Sequence, residues 1–334
     1  MKKILCIEIG VLAVLAVIAV IVSITLNMPA FSPDSLQQPV TTAPTETTPA
    51  PTPPPTEPTP TWKTYPEDRE LLAKQYFVYD CKAGSFLTIS GKMDERIYPA
   101  SITKLFTAYV AMQYVDPQKE ITAGDVLDLV AWGSSVAKIK KGDTLTAGQL
   151  VEAMLLPSGN DAAYMLACEA GRVMKGNPNL SPSAAVQAFM TQMNAQAKAV
   201  GMTNTHFVNP DGIHDSQHYT TFADLAILGK LSMENETIMK YTKVSTMDMI
   251  LGGETVQWHN TNAIIDPNSI YYCPYAVGMK TGQTPSAGSC LLTVFTYAEH
   301  TWIIGVFGCP TEESRFEDTL QIFNRAYHNA RGES

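Results

Sequence analysis

Pro99-Ala100-Ser101-Ile102-Thr103-Lys104 opens the segment whose reading decides the fold. Apolar residues follow at 102, 105, 106, 109 and 110, the i, i+3, i+4, i+7, i+8 stripe of a helix that buries a face. The spacing predicts a helix over Ser101–Gln113 with Ser101 at its N-terminus, where orphan N–H groups and the macrodipole favour a developing anion. Lys104 lies one turn on, so its ammonium returns to the face of Ser101. Ala108 and Ala111 continue that face, and their small size is expected to leave a cleft open. A buried amine beside a serine can act as its base without a histidine. That requires its pKa to fall from about 10.4 to about 7–8, roughly 3–4 kcal/mol of desolvation and neighbouring charge. The same residues also suit an ordinary N-cap serine and a solvated lysine, so S-x-x-K alone decides nothing.

Two further motifs lie downstream. Leu156-Pro157-Ser158-Gly159-Asn160-Asp161 reads as a turn between helices. There the Ser158 hydroxyl could pass a proton from nucleophile to leaving amine, and the Asn160 amide could donate to a substrate carbonyl and accept from its N–H. A Ser/Gly/Asn turn with a helix cap is the commoner use of these residues. Gly278-Met279-Lys280-Thr281-Gly282-Gln283-Thr284 reads as strand. On an edge strand, Gly282 would let an extended substrate lie against the backbone. Lys280 offers positive charge and Thr281 a hydroxyl for a substrate carboxylate. Strand alternation sends 280 and 281 to opposite faces, so both serve one site only if the strand borders the cleft. A basic edge strand can equally be mere protection against aggregation.

Strands are expected at both ends of the body: Gln75–Asp80 and Ser85–Ser90 around a Lys82-Ala83-Gly84 turn, then Tyr275–Thr281, Cys290–Tyr297 and Thr301–Phe307. The last two are joined by a tight Glu299-His300 turn. Helix-period segments fill the middle at 147–155, 161–173, 183–200 and 222–232, and a final helix covers 313–328. This pattern predicts an α+β fold, one antiparallel sheet covered by helices, with its two ends pairing across the sequence.

In the order S-x-x-K, S-x-N, K-T-G, the three motifs give the chain a resemblance to the penicillin-recognising serine enzymes. More closely, it resembles the low-molecular-mass D-alanyl-D-alanine carboxypeptidases, serine peptidase family S11. The resemblance runs from Gln75 to Tyr327 and includes Lys141-Gly142-Asp143, Gly201–Pro210, His218-Tyr219-Thr220, Trp258–Asn262 and Arg315-Phe316-Glu317-Asp318. It implies a β-lactamase/transpeptidase-like fold, no cofactor and no metal. It also implies Ser101 as nucleophile, Lys104 as general base and Ser158 as proton relay. Asn160 would hold the acyl chain, Lys280 and Thr281 the terminal carboxylate, and the N–H groups of Ser101 and Gln283 the oxyanion. The implied partners are a peptidoglycan stem peptide ending in D-Ala-D-Ala and β-lactams as covalent inhibitors. Alternatives of the same fold are a β-lactamase and a transpeptidase; one of another class is a catalytically silent cell-wall-binding protein. No E-x-x-L-N pattern follows Ser158 to supply a class A deacylating glutamate. Gln283 departs from the His or aromatic residue that often follows K-T-G.

The rest of the 334 residues set the location. Residues 1–28 carry Lys2 and Lys3 and then no charge from Ile9 to Leu26. Eighteen helical residues span roughly 27 Å, enough to cross a hydrocarbon core, with the N-terminus inside. A retained anchor is preferred over a signal peptide, since Leu26–Ala30 is a poor cleavage site; cleavage would make the protein secreted. A Pro/Thr-rich linker, 29–64, follows, with 11 of the 22 prolines, and is expected to be disordered and extended. The domain proper is assigned to 65–334, outside the cytoplasm. The net charge of −9 argues against nucleic acid. His214 and His218, near Asp211 and Asp215, sit in a loop without an H-E-x-x-H glutamate, so no metal is assigned. Five cysteines follow the anchor, an odd count; buried thiols are the default, with a Cys290–Cys309 bridge across the last hairpin as the alternative.

Overall fold

The structure, a computed structural model, describes residues 61–66 and 68–332. The expected anchor over 1–28 and residues 29–60 of the expected linker lie outside them. Among the described residues, no helix is long and apolar enough to cross a membrane.

The hairpin β1 (Gln75–Asp80) and β2 (Ser85–Ser90) falls where the alternation predicts. Asp80 Oδ1 accepts from the N–H groups of Lys82 and Ala83 at 2.8 and 2.9 Å, which turns the chain. A 3₁₀ turn, Ala100–Ile102, leads into α1 (Thr103–Ala111). Short strands β3 (Glu120–Thr122) and β4 (Thr144–Thr146) pair beside α2 (Ala147–Leu155), which starts on a Thr146/Gln149 capping box. Then come α3 (Asn160–Lys175), α4 (Pro182–Ala199) and α5 (Phe222–Glu234), all near their expected spans.

Besides the short strands β3 and β4, the additions to the expected set are α6 (Glu236–Thr242) and the hairpin β5 (Thr246–Leu251) and β6 (Glu254–His259). Signals for them are present. Asn235 caps α6 through its side chain, and Gly252-Gly253, both at positive φ, make the two-residue turn. The chain ends with β7 (Ala276–Thr284), β8 (Gly288–Tyr297), β9 (His300–Cys309) and α7 (Glu312–Arg331). The β8–β9 turn is Ala298-Glu299, one residue earlier than expected, because Tyr297 pairs with His300 and Ala298 takes φ +49°.

The main sheet is antiparallel in the order β2-β1-β9-β8-β7, so the chain's two ends do pair, Gln75 opposite Phe307. Its helical cover is on both faces. Phe77, Leu292, Val294 and Ile303 pack towards α1 and its neighbours. Val78, Leu291, Phe295 and Ile304 pack against Leu320 and Phe323 of α7. Burial on two faces is why β8 and β9 read as continuous apolar runs rather than alternating ones. Trp62, within the stretch read as linker, packs on this layer: its ring lies 5.4 Å from Tyr275 and 5.0 Å from Tyr327. The bridge between Cys290 and Cys309 does not form. The bulge between Ser289 and Leu291 sends the two side chains to opposite faces of the sheet, and all five described thiols are free.

Candidate active site

Helix α1 is apolar nearly all round, and seven of its residues besides Lys104 are buried. Lys104 is thereby carried into the interior with no exposure at all. Ala108 and Ala111 share that fate; they fill the core and do not line the cleft, as their spacing had suggested. Lys104 Nζ lies 2.8 Å from Ser101 Oγ and donates to the backbone carbonyl of Asp211 at 2.7 Å. Burial pushes the ammonium down to about 8, opposed by the charges of Asp211 and Asp161. This is the depression that the S-x-x-K reading required.

Ser101 stands in the 3₁₀ turn just ahead of α1, after Ala100 at φ +48°. Two glycines make the close packing of that turn possible. A Cβ on Gly212 would lie 1.9 Å from the Ala100 carbonyl oxygen, and one on Gly282 would lie 2.9 Å from that of Pro99. Gly282 is therefore required by the approach of edge strand β7 to the Ser101 turn, whatever a substrate demands.

Ser101, Ser158, Thr281, Gly282 and Gln283 line one cleft of about 530 Å³, with Ser135, Thr261, Glu312 and Arg315. The other three expected residues do not line it. Lys104 lies beneath Ser101. Asn160, at the start of α3, is buried, and its side-chain oxygen has no hydrogen-bond partner. Lys280 is fully buried behind Thr281; its Nζ donates to the Thr281 carbonyl at 3.0 Å and reaches the hydroxyls of Thr281 and Thr261 at 3.4 Å. Burial, and then the charges of Lys104 and Arg315, hold Lys280 well below the usual ammonium range. The alternation argument holds in this form: 280 and 281 point apart, and the lysine curls back to the threonine.

Ser158 adopts φ +64°, an uncommon conformation for a non-glycine residue, at the α2–α3 junction. Asp161 braces that junction. Its carboxylate accepts from Ala137 N at 2.9 Å and Ile139 N at 3.1 Å, and Asn160 N donates to Ser135 O at 2.9 Å.

Arg315, Asp211 and His218 lie at or beneath the cleft, placements that the motifs did not announce. Arg315 is 3 % exposed, lines the cleft from the first turn of α7, and holds Glu312 at 3.2 Å with its Nε unpartnered. His218 accepts from Val208 N through Nδ1 at 3.2 Å, so Nε2 carries the proton and donates to Thr103 Oγ1 at 2.8 Å. Both ring nitrogens thus serve the fold below Ser101 rather than an ion. The arrangement suits acyl transfer: a serine with an amine base, a second serine across the cleft, and a cationic end for a carboxylate.

Comparison with known proteins agrees with that chemistry. The chain is 31 % identical over 244 residues to the D-alanyl-D-alanine carboxypeptidase of Streptomyces sp. (strain K15), covering 70 % of this chain and 80 % of that one. It is 29 % identical over 240 residues to D-alanyl-D-alanine carboxypeptidase DacF of Bacillus subtilis (strain 168), covering 70 % of this chain and 57 % of DacF. The chain thus spans under two thirds of the length of DacF. The crystal structure of the Streptomyces K15 DD-transpeptidase superposes with a TM-score of 0.69 at 28 % identity, over 78 % of this chain and 98 % of that one. The family model described as Peptidase_S11, D-alanyl-D-alanine carboxypeptidase, matches residues 62–311, from ahead of β1 to the end of β9. The sheet, helices α1–α6 and the motif residues of the cleft fall within that match, α7 with Glu312 and Arg315 following it, and the chain belongs to the S11 family of D-alanyl-D-alanine carboxypeptidases.

Proposed function

We propose that this protein removes the terminal D-Ala from peptidoglycan stem peptides ending in D-Ala-D-Ala, through an acyl-enzyme on Ser101. The observation that carries the reading is the buried Lys104 amine 2.8 Å from Ser101 Oγ. When neutral, the amine takes the Ser101 proton as Oγ attacks the penultimate D-Ala carbonyl. The C–N bond then breaks, Ser158 passes a proton to the departing amine, and D-Ala leaves. Water next cleaves the ester and restores Ser101. The N–H groups of Ser101 and Gln283 serve the oxyanion. Asn160 offers its free amide oxygen to the acyl chain, and Gly282 keeps β7 close to Ser101. Thr281 and Arg315 receive the terminal carboxylate, whose charge would also favour the protonated form of Lys280 behind them.

A β-lactam, which presents the same carboxylate and an acylating carbonyl, should acylate Ser101 and remain. Of the described residues lining the cleft, Glu312 is the only carboxylate, and it is engaged with Arg315, so no acid is placed to activate water against the lactam ester. We further propose that 1–28 anchors the protein in the cytoplasmic membrane, that the Pro/Thr stretch is a spacer, and that domain 65–334, with Trp62 packed on it, works outside the cytoplasm. The test is D-Ala release from a pentapeptide ending in D-Ala-D-Ala by the full chain and by Ser101→Ala. Release is expected only from the former; equal release by both overturns the mechanism.

A further inference from the structure

A second concavity adjoins the cleft across the loop 131–136. It measures about 500 Å³ and is lined by Leu127, Val130, Trp132, Val136, Ile139 and Asp161. Trp132 is completely exposed (101 %), and Val136 is 44 % exposed beside it. A bare indole on a loose tip would mean little, but this loop is fastened at Ser135 and, just beyond it, at Ala137 and Ile139. Ser135 O accepts from Asn160 N, Ser135 Oγ donates to Pro157 O at 3.3 Å, Asp161 holds the N–H groups of Ala137 and Ile139, and Trp258 Nε1 donates to Ala137 O at 2.9 Å. The bonds that position Asn160 thus also position the Trp132 platform. An exposed apolar face on a rigid rim marks a contact surface.

The occupant follows from reach and chemistry. Ser135 lines the cleft, and Trp132 stands three residues from it, at most about 10 Å along the chain. In a stem peptide, four residues separate the scissile carbonyl from the sugar that bears it, roughly 13 Å when extended. Ser101 and Ser135 line the same cleft, so a stem peptide that acylates Ser101 and leaves past Ser135 carries its sugar towards the indole, and the apolar C–H face of a pyranose ring is complementary to a flat, solvated aromatic surface. We propose that Trp132 is the platform of a glycan subsite that selects stem peptides still joined to their N-acetylmuramic acid. The proposal rests on the carboxypeptidase reading above.

Two measurements on the full chain separate the proposal from that reading. The first compares D-Ala release from free pentapeptide and from N-acetylglucosaminyl-N-acetylmuramyl-pentapeptide. The wild type should prefer the glycosylated substrate about tenfold in kcat/KM. Trp132→Ala should lose that preference and keep its rate on free pentapeptide within about twofold, with an unchanged melting temperature. No preference in the wild type, or an equal loss on both substrates in the variant, overturns the subsite. The second titrates Ser101→Ala with the peptide-free disaccharide and follows tryptophan fluorescence. Trp258 and Trp302 are buried and Trp62 packs among tyrosines, so a change absent from the double variant with Trp132→Ala reports the platform. A fluorescence change without D-Ala release from either substrate retires the carboxypeptidase reading and leaves the platform standing; no change at millimolar disaccharide overturns it.

Discussion

Lys104 and Asp211 are joined through the backbone: Nζ donates to the Asp211 carbonyl at 2.7 Å, while the Asp211 carboxylate keeps Oδ2 buried and unpartnered. The amine is therefore fixed by a neutral acceptor rather than by direct pairing with a carboxylate, which would hold it protonated. Burial wins, and the ammonium falls to about 8. Below that pH Lys104 carries a proton and cannot take another from Ser101. The rate of Ser101 acylation by a labelled penicillin should rise about tenfold per pH unit and level off above pH 8. Lys104→Arg, always protonated, should lower the plateau by about 10²–10⁴. A rate independent of pH between 5 and 9 would exclude Lys104 as the base.

The 3₁₀ turn carrying Ser101 is clamped between Gly212, at φ +86°, and Gly282. Alanine at 212 is penalised twice, by its positive φ and by a contact of 1.9 Å with backbone that has no flexible end to yield. Alanine at 282 meets 2.9 Å at Pro99 O, a milder conflict. Gly212→Ala should lose more acylation than Gly282→Ala, and both should melt lower than the parent by several degrees, about 1–3 kcal/mol. Thermal melts beside penicillin labelling at 20 °C check the order; a Gly212→Ala protein with parental labelling contradicts the clamp.

Much of this site was readable from residues alone, for identifiable reasons. The α1 stripe and the strand positions rest on local periodicity, which survives into the fold, whereas the motif residues are singled out by their order and the family resemblance. What escaped depends on packing between distant segments. Ala108 and Ala111 are small on any helix, but only the surrounding helices show that they fill core. Arg315 reaches the cleft because β9 runs back beside β8 and delivers the start of α7 there. Asp211 acts through its carbonyl, which no residue type announces. The Cys290–Cys309 alternative failed on one β-bulge, a single-residue shift that reverses the face of a side chain.

Arg315 should behave as part of the carboxylate end of the cleft. Its burial makes the unpaired Nε costly until an anion arrives, and a charge-assisted bond to that anion is worth about 1.5–3 kcal/mol. Arg315→Gln should therefore raise KM for the pentapeptide by about 10–100-fold. A pentapeptide amidated at its C-terminus should be a poor substrate for both proteins and show little difference between them. Steady-state kinetics on the two peptides make the comparison, and an equal loss on both would assign Arg315 to stability alone.

His218 links the site to stability in acid. Burial pushes its pKa down from 6.5 to about 3, and its proton-free Nδ1 accepts from Val208 N. The unfolded chain binds a proton near pH 6.5 that the folded chain refuses until about pH 3. The stability attached to the neutral ring is thus complete above pH 6.5 and is lost progressively between 6.5 and 3, at up to about 1.4 kcal/mol per pH unit. Denaturant titrations from pH 7 to 4 should show this slope in the parent. His218→Gln, which keeps an acceptor and a donor but no titrating group, should be less stable at pH 7 and show a shallower fall. The Thr103 Oγ1 contact at 2.8 Å lies one residue from Lys104, so penicillin labelling of Ser101 should decline in the parent along the same acid limb. Parallel slopes for parent and variant would place the acid sensitivity on groups other than His218; the buried carboxyls of Asp161 and Asp224, held above their ordinary values by burial, work in the opposite sense.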